Sequence, residues 1–155
     1  MDFSQWLQAA ATVFGVSMLP VLELKAAIPL GLAMGLPLWE TFLIALLGSS
    51  LPVPLILFFL RPVFRYLRRF RFFARFADWF ERHTHKRSKS VTKYRGYSLL
   101  GLFVFVAIPL PTTGVWTGSA IASFLNLRIL YAFPTILLGN AVAGLLMLCF
   151  GIIIV

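Results

Sequence analysis

Long apolar runs without a formal charge alternate with one dense basic stretch along this chain. Phe3–Leu22, Thr41–Leu60, Ser98–Leu127 and Ile129–Val155 contain no Asp, Glu, Lys or Arg. A helix needs about 20 predominantly apolar residues to cross a bilayer, so each run is long enough for one span or for a broken hairpin. Helix breakers divide them. The pattern predicts a helix over Gln5–Met18 that stops at Pro20, and a crossing helix over Leu38–Leu60. It predicts a helix over Ser98–Val106 that stops at Pro109 and Pro111, and a second crossing helix over Ile129–Val155. Proline removes a backbone donor and ends or kinks a helix.

Between the apolar halves, Val63, Tyr66, Phe70, Phe73, Ala77 and Phe80 recur at spacings of three and four, which is one face of a helix. Arg65, Arg68, Arg69 and Arg75 fall mostly on the opposite face. Such a helix lies on anionic lipid, each basic residue adding about 1 kcal/mol near the surface, or it extends the preceding span into water. Pro62 suits a first helical turn, so a break is predicted near Arg61.

Composition removes the soluble alternatives. Hydrophobic residues make up 60% and charged residues 12%, against roughly 45–50% and about 25% in ordinary soluble chains. A net charge of +9 would suggest nucleic acid, but twelve of the fourteen Lys and Arg lie between Arg61 and Arg95. A short basic loop between membrane segments stays on the cytoplasmic side. Residues 61–96 are therefore expected in the cytoplasm, with no nucleic-acid partner. His83 and His85 stand two apart without a further His or Cys nearby, which makes a poor metal site. Cys149 is the only cysteine, so no intrachain disulfide forms; it reads as a small packing residue. The first residues lack a basic segment, so no cleaved signal is expected. No enzyme motif appears, so neither catalysis nor a cofactor is expected.

Without the basic loop, two halves of equal length remain, Phe3–Leu60 and Ser98–Val155. Ala27-Ile28-Pro29-Leu30 recurs as Ala107-Ile108-Pro109-Leu110, and Gly48-Ser49 resembles Gly139-Asn140. We read one membrane domain, residues 1–155, made of a first repeat (3–60), the basic helix and linker (61–96) and a second repeat (97–155). The expected fold is all-α, each repeat being a broken re-entrant hairpin plus one transmembrane helix. Positive-inside orientation makes the repeats inverted, a plan of secondary transporters that bind near mid-bilayer. The competing topology has Phe3–Pro20 and Ser98–Leu125 as full spans.

Glu23 and Lys25 are the only charges between Asp2 and Glu40. Ionisable groups inside a membrane point to a pathway; at the bilayer edge they would simply snorkel to water. Pro109, Pro111, Thr112, Thr113, Gly114 and Thr117 offer hydroxyls and freed backbone groups for an ion or head group, or else for their own tight turn. Trp116 is a pathway wall or an interfacial anchor. Gly114, Gly118 and Ala122 suit close helix packing. Asn140 reads as an interhelical hydrogen bond, Arg128 as a cytoplasmic anchor, and Glu40 beside Trp39 as interfacial.

Glu23-Leu24-Lys25-Ala26-Ala27-Ile28-Pro29 resembles the first signature of the small multidrug export family. Phe103–Gly118, with Ala107-Ile108-Pro109-Leu110-Pro111-Thr112-Thr113-Gly114, resembles the second and more specific one. The likeness runs from Met18 to Gly144. It implies a distant relation to the DedA proteins, whose fold has two facing re-entrant hairpins and which are linked to lipid-carrier flipping and proton-dependent drug resistance. The family more often has Arg at Lys25, Gly-Asn at Gly48-Ser49 and Gly at Thr112. Lysine lacks arginine's bidentate fork for phosphate.

These readings converge on a transporter of the bacterial- or archaeal-type inner membrane. It exports small amphipathic compounds with protons through Glu23, along a pathway that includes Lys25, Pro29 and the Pro109–Thr117 segment. The alternatives are a lipid or polyprenyl-phosphate translocase and a membrane-organising protein acting through its basic helix. Anionic lipids are the expected partners of Arg65, Arg68, Arg69 and Arg75. A homo-oligomer, a dimer first, is expected because few helices enclose the path.

Overall fold

A computed structural model describes residues 2–67, 91–110 and 113–154. Among these the secondary structure is helical: α1 (Phe3–Met18), α2 (Glu23–Ala33), α3 (Leu38–Ser50), α4 (Pro52–Leu67), α5 (Val91–Ala107), α6 (Val115–Phe124) and α7 (Ile129–Ile154). Most of the basic stretch, with Arg68, Arg69, Arg75, His83 and His85, lies outside the described residues, as do Pro111 and Thr112. Arg65 falls within α4.

Leu38–Val63 and Ile129–Cys149 are long and apolar enough to cross a membrane. Only 39% of each apolar window is buried inside the chain, far less than a soluble core helix would be. Phe58, Leu47, Leu130 and Leu138 point outward, as side chains facing lipid do. Among the described residues the chain is all-helical, with two helices of the length and apolarity of membrane spans.

The break near Arg61 predicted from Pro62 does not occur. Helix α4 runs through Pro62, and only the single residue Leu51 separates it from α3. Pro52 opens α4 and Pro54 sits in its first turn, where no N–H is needed. The first long span, Leu38–Val63, is continuous: Leu51 between α3 and α4 keeps a helical backbone, its N–H bonded to the Leu47 carbonyl.

Small residues set the helix spacing. Ala9, Val13 and Ser17 form the buried stripe of α1, and Gly48 of α3 packs on its last turns. A Cβ on Gly48 would lie 2.7 Å from the Phe14 carbonyl oxygen and overlap Ser17 Oγ. Within lipid, such close backbone approach replaces the hydrophobic effect as the source of association. Gly48→Ala is expected to cost about 1–3 kcal/mol, because the obstacle is backbone. The check is the unfolding midpoint in detergent against Gly15→Ala, whose Cβ meets nothing within 4 Å. Equal midpoints would show that α1 and α3 do not hold this spacing.

Two apolar clusters form the core, and each takes residues from both halves of the chain. Ala9, Val13, Leu24, Ile28 and Phe42 pack with Leu148 from the end of α7. Val106, Val115, Ala122 and Ile136 pack with Val53 and Leu57 of α4. Helix α2 thus packs on α7, and α6 packs on α4. Cys149, expected to pack inside, is exposed, since Leu148 takes the buried position beside it.

Candidate functional site

The two short helices α2 and α6 meet at their N-terminal ends. Helix α1 stops at Met18, and Pro20 lies in the turn that leads to α2. Glu23, the first residue of α2, has a φ of 47°, a left-handed backbone that non-glycine residues adopt at a cost of order 1–3 kcal/mol. Its side chain is buried. Nothing in the sequence pattern signalled this backbone conformation.

On the opposing side α5 ends at Ala107, and the chain reaches α6 through Pro109, Thr113 and Gly114. The Thr113 hydroxyl donates to the Ile108 carbonyl at 2.5 Å and accepts the Leu110 N–H at 3.2 Å. Thr113 therefore closes its own turn. Gly114 presents bare backbone to Glu23, and a Cβ there would sit 2.5 Å from Glu23 Cδ and 2.6 Å from Oε1.

Glu23 Oε1 accepts the Trp116 backbone N–H at 3.3 Å. This is a first-turn N–H of α6, which has no partner inside its helix, and the helix dipole favours a negative group there. Lys25 Nζ lies 3.6 Å from Glu23 Oε2 and donates to the Leu110 carbonyl at 2.6 Å. The Trp116 indole N–H donates to the Met18 carbonyl at 3.3 Å. One carboxylate, one ammonium and one indole thus join the two tips.

Of the residues singled out from sequence, Glu23, Lys25, Gly114 and Trp116 come together here, with Thr113 in the adjoining turn. Pro109 is half-buried beside them. Pro29 is exposed on α2, and Thr117 is exposed on α6. Gly118 packs instead against Val106, where a Cβ would lie 2.6 Å from Cγ2. A second polar contact joins the halves: Asn140 Nδ2 of α7 donates to Ser49 Oγ of α3 at 2.7 Å. Glu40 accepts the Trp6 indole N–H at 2.6 Å, away from the tips. Arg128 is exposed, and its carbonyl starts α7. No cluster of metal ligands occurs among the described residues.

The sequence pattern missed Ser50, Ser119 and Ser123. All three are buried, and their hydroxyls have no hydrogen-bond partner. Isolated serines in an apolar run carry no signal that separates them from packing residues.

A family model described as "Putative small multi-drug export protein" matches residues 23–146. The match opens on Glu23 and spans both tips. No curated protein and no solved structure matches the chain. The chain belongs to this small multi-drug export family.

Proposed function

We propose that this member of the small multi-drug export family is a proton-coupled exporter of small amphipathic compounds, working where the two tips meet. In this reading α1–α2 and α5–α6 are re-entrant hairpins of two inverted repeats, and the basic stretch lies in the cytoplasm. Non-helical backbone at membrane depth is tolerated where protein or a wet cavity covers it, and each tip covers the other.

The observation that carries the reading is the buried Glu23 carboxylate, shared between a backbone N–H of the opposite tip and Lys25. Protonating Glu23 removes one charge from a buried pair and weakens its hold on α6. That links proton binding to separation of the tips, which is what alternating access requires. Lys25 is already committed to Glu23 and Leu110. A lipid-phosphate translocase would need that ammonium free for its head group, so the pairing favours the exporter.

The test is proteoliposomes with an imposed pH gradient and a lipophilic cationic dye. Dye movement is expected to need the gradient and to fall to the protein-free rate in Glu23→Gln. Movement that survives the substitution would remove Glu23 from the mechanism. A dye that never moves, while a fluorescent phospholipid exchanges leaflets, would transfer the reading to the translocase.

A further inference from the structure

We propose that a hydrated hydroxyl track along the α4–α6 seam, through Ser119 and Ser123 and beside Ser50, connects Glu23 to the side of the membrane that carries the basic stretch. This rests on the proton-coupled reading of Glu23 and adds its route to water.

The geometry begins at the carboxylate. Glu23 holds the N–H of Trp116 in the first turn of α6. Ser119 follows one turn later and Ser123 another turn on. At 1.5 Å rise per residue, four residues advance about 6 Å, a step that one bridging water spans with a hydrogen bond at each end. Ser119 is wholly buried and Ser123 nearly so, and neither hydroxyl has a partner. Buried hydroxyls are otherwise almost always paired, with protein or with ordered water. In helices a serine commonly donates to its own preceding turn, as Ser17 does to Phe14 and Ser49 to Leu46. Ser119 and Ser123 do not.

Helix α6 has neighbours that divide its buried face. Gly118 points at Val106 of α5 and Ile136 of α7. The strip Ser119–Ser123 lies about 100° around the helix from Gly118 and Ala122, and in the proposal α4, the remaining helix packed on α6, takes that side. Helix α4 begins just after Leu51. Pro52 and Pro54 have no N–H to offer the carbonyls of Gly48 and Ser50, so those oxygens also lack their helical donors. Ser50, whose hydroxyl is buried and unpaired, ends α3 just before that point. Unmet hydrogen-bonding capacity therefore lies both on α6 and at the junction of α3 with α4.

The opposite seam has none of this. Helices α2 and α6 correspond at an offset of 91, since α2 ends at Ala33 and α6 at Phe124. At that offset Ser119 corresponds to Ile28 and Ser123 to Leu32. The buried face of α2 below Glu23 is Leu24, Ala27, Ile28 and Gly31. It packs closely on α7, where a Cβ on Gly144 would lie 3.1 Å from Leu24. Glu23 thus has a polar strip on one side and a dry one on the other. In the conformation described, proton exchange runs through the α4–α6 side.

Single cysteines in a Cys149→Ser background test this without needing transport. The variants are Ser119→Cys, Ser123→Cys, Ala122→Cys between them, and Ala27→Cys on the dry seam. Each is reconstituted as the full chain and exposed to Ag⁺ from one side, and protected thiols are then counted with a maleimide after denaturation. A narrow water path admits Ag⁺, and a thiol in apolar surroundings stays inert. Ser119→Cys and Ser123→Cys are expected to react from the basic-stretch side about tenfold faster than Ala122→Cys or Ala27→Cys. Equal rates at all four positions, reaction from the opposite side only, or no reaction at either serine would overturn the track. Should Ser119→Cys fail to purify as a folded protein, Ser123→Cys carries the same test. Dye movement indifferent to Glu23→Gln, with the Ag⁺ pattern intact, would sink the coupling mechanism and leave the track standing.

Discussion

Alanine at Gly114 is expected to abolish gradient-driven dye movement while leaving the chain folded. The added Cβ would occupy the space of the Glu23 carboxylate, overlapping Oε2. The obstacle is the far end of a flexible side chain, so the carboxylate yields and the helices keep their places. In yielding it gives up the Trp116 N–H and its approach to Lys25. A charge-assisted bond of this kind is worth about 1.5–3 kcal/mol, which a chain of this size survives. In the exporter reading, however, the proposed proton carrier no longer grips the opposite tip. Gly114→Ala should therefore reproduce the transport loss of Glu23→Gln with a modest fall in unfolding midpoint. Gly101→Ala, which meets nothing within 4 Å, should transport normally. Full transport by Gly114→Ala would show that the Glu23–α6 contact plays no part in export.

Gly114 also shows how the two tips fit. At the offset of 91 it corresponds to Glu23 itself. One tip contributes the carboxylate, and the other leaves out the side chain that would stand in its way. Sequence comparison between the halves pointed elsewhere. The shared Ala-Ile-Pro-Leu falls inside α2 in the first half but straddles the end of α5 in the second. It is a coincidence of composition, not of position. The Gly48-Ser49 and Gly139-Asn140 pairs do stand at this offset, and their polar members bond to each other. The same offset pairs the starts of α3 and α7, Leu38 and Ile129.

The spans were legible because length and apolarity alone specify them. Breaks at Pro20 and Pro109 were legible because proline has a local effect. The passage of the helix through Pro62 was not, because Pro62 alone reads as a breaker, and only the fold shows α4 running past it. Glu23 and Lys25 stood out as isolated charges, and Trp116 as a pathway wall or an interfacial anchor. Their meeting depends on hairpin geometry that no local pattern contains. The left-handed backbone at Glu23 was invisible for the same reason: it is imposed by the turn at Pro20 and the approach of α6, not by the residue's own preference. The hydroxyls of Ser119 and Ser123 become conspicuous only beside Ile28 and Leu32.

The Glu23–Lys25 pair decides between the two readings that the sequence left open, a buried site and a pair of snorkelling side chains. A double-mutant cycle separates them. The side chains are 6% and 13% exposed, and breaking a buried pair by removing one partner typically costs about 3–5 kcal/mol. Lys25→Met leaves Glu23 with the Trp116 N–H but no cation. Glu23→Gln keeps an acceptor for that N–H but leaves the ammonium with only the Leu110 carbonyl. In the double variant the glutamine still accepts from Trp116, and no charge remains to be compensated. It is expected to unfold at a higher midpoint than either single variant, with a coupling of about 1–3 kcal/mol between the sites. Two side chains reaching water at the bilayer edge would behave otherwise, because exposed pairs couple by at most about 1 kcal/mol. Additive losses in the cycle would therefore place the pair in water and dissolve the site. Strong coupling would mean that the charge on Glu23 sets the state of Lys25, so a proton arriving at the carboxylate releases the ammonium at the same moment. In the proposed exporter, that release is the step by which a proton gradient would drive the tips apart.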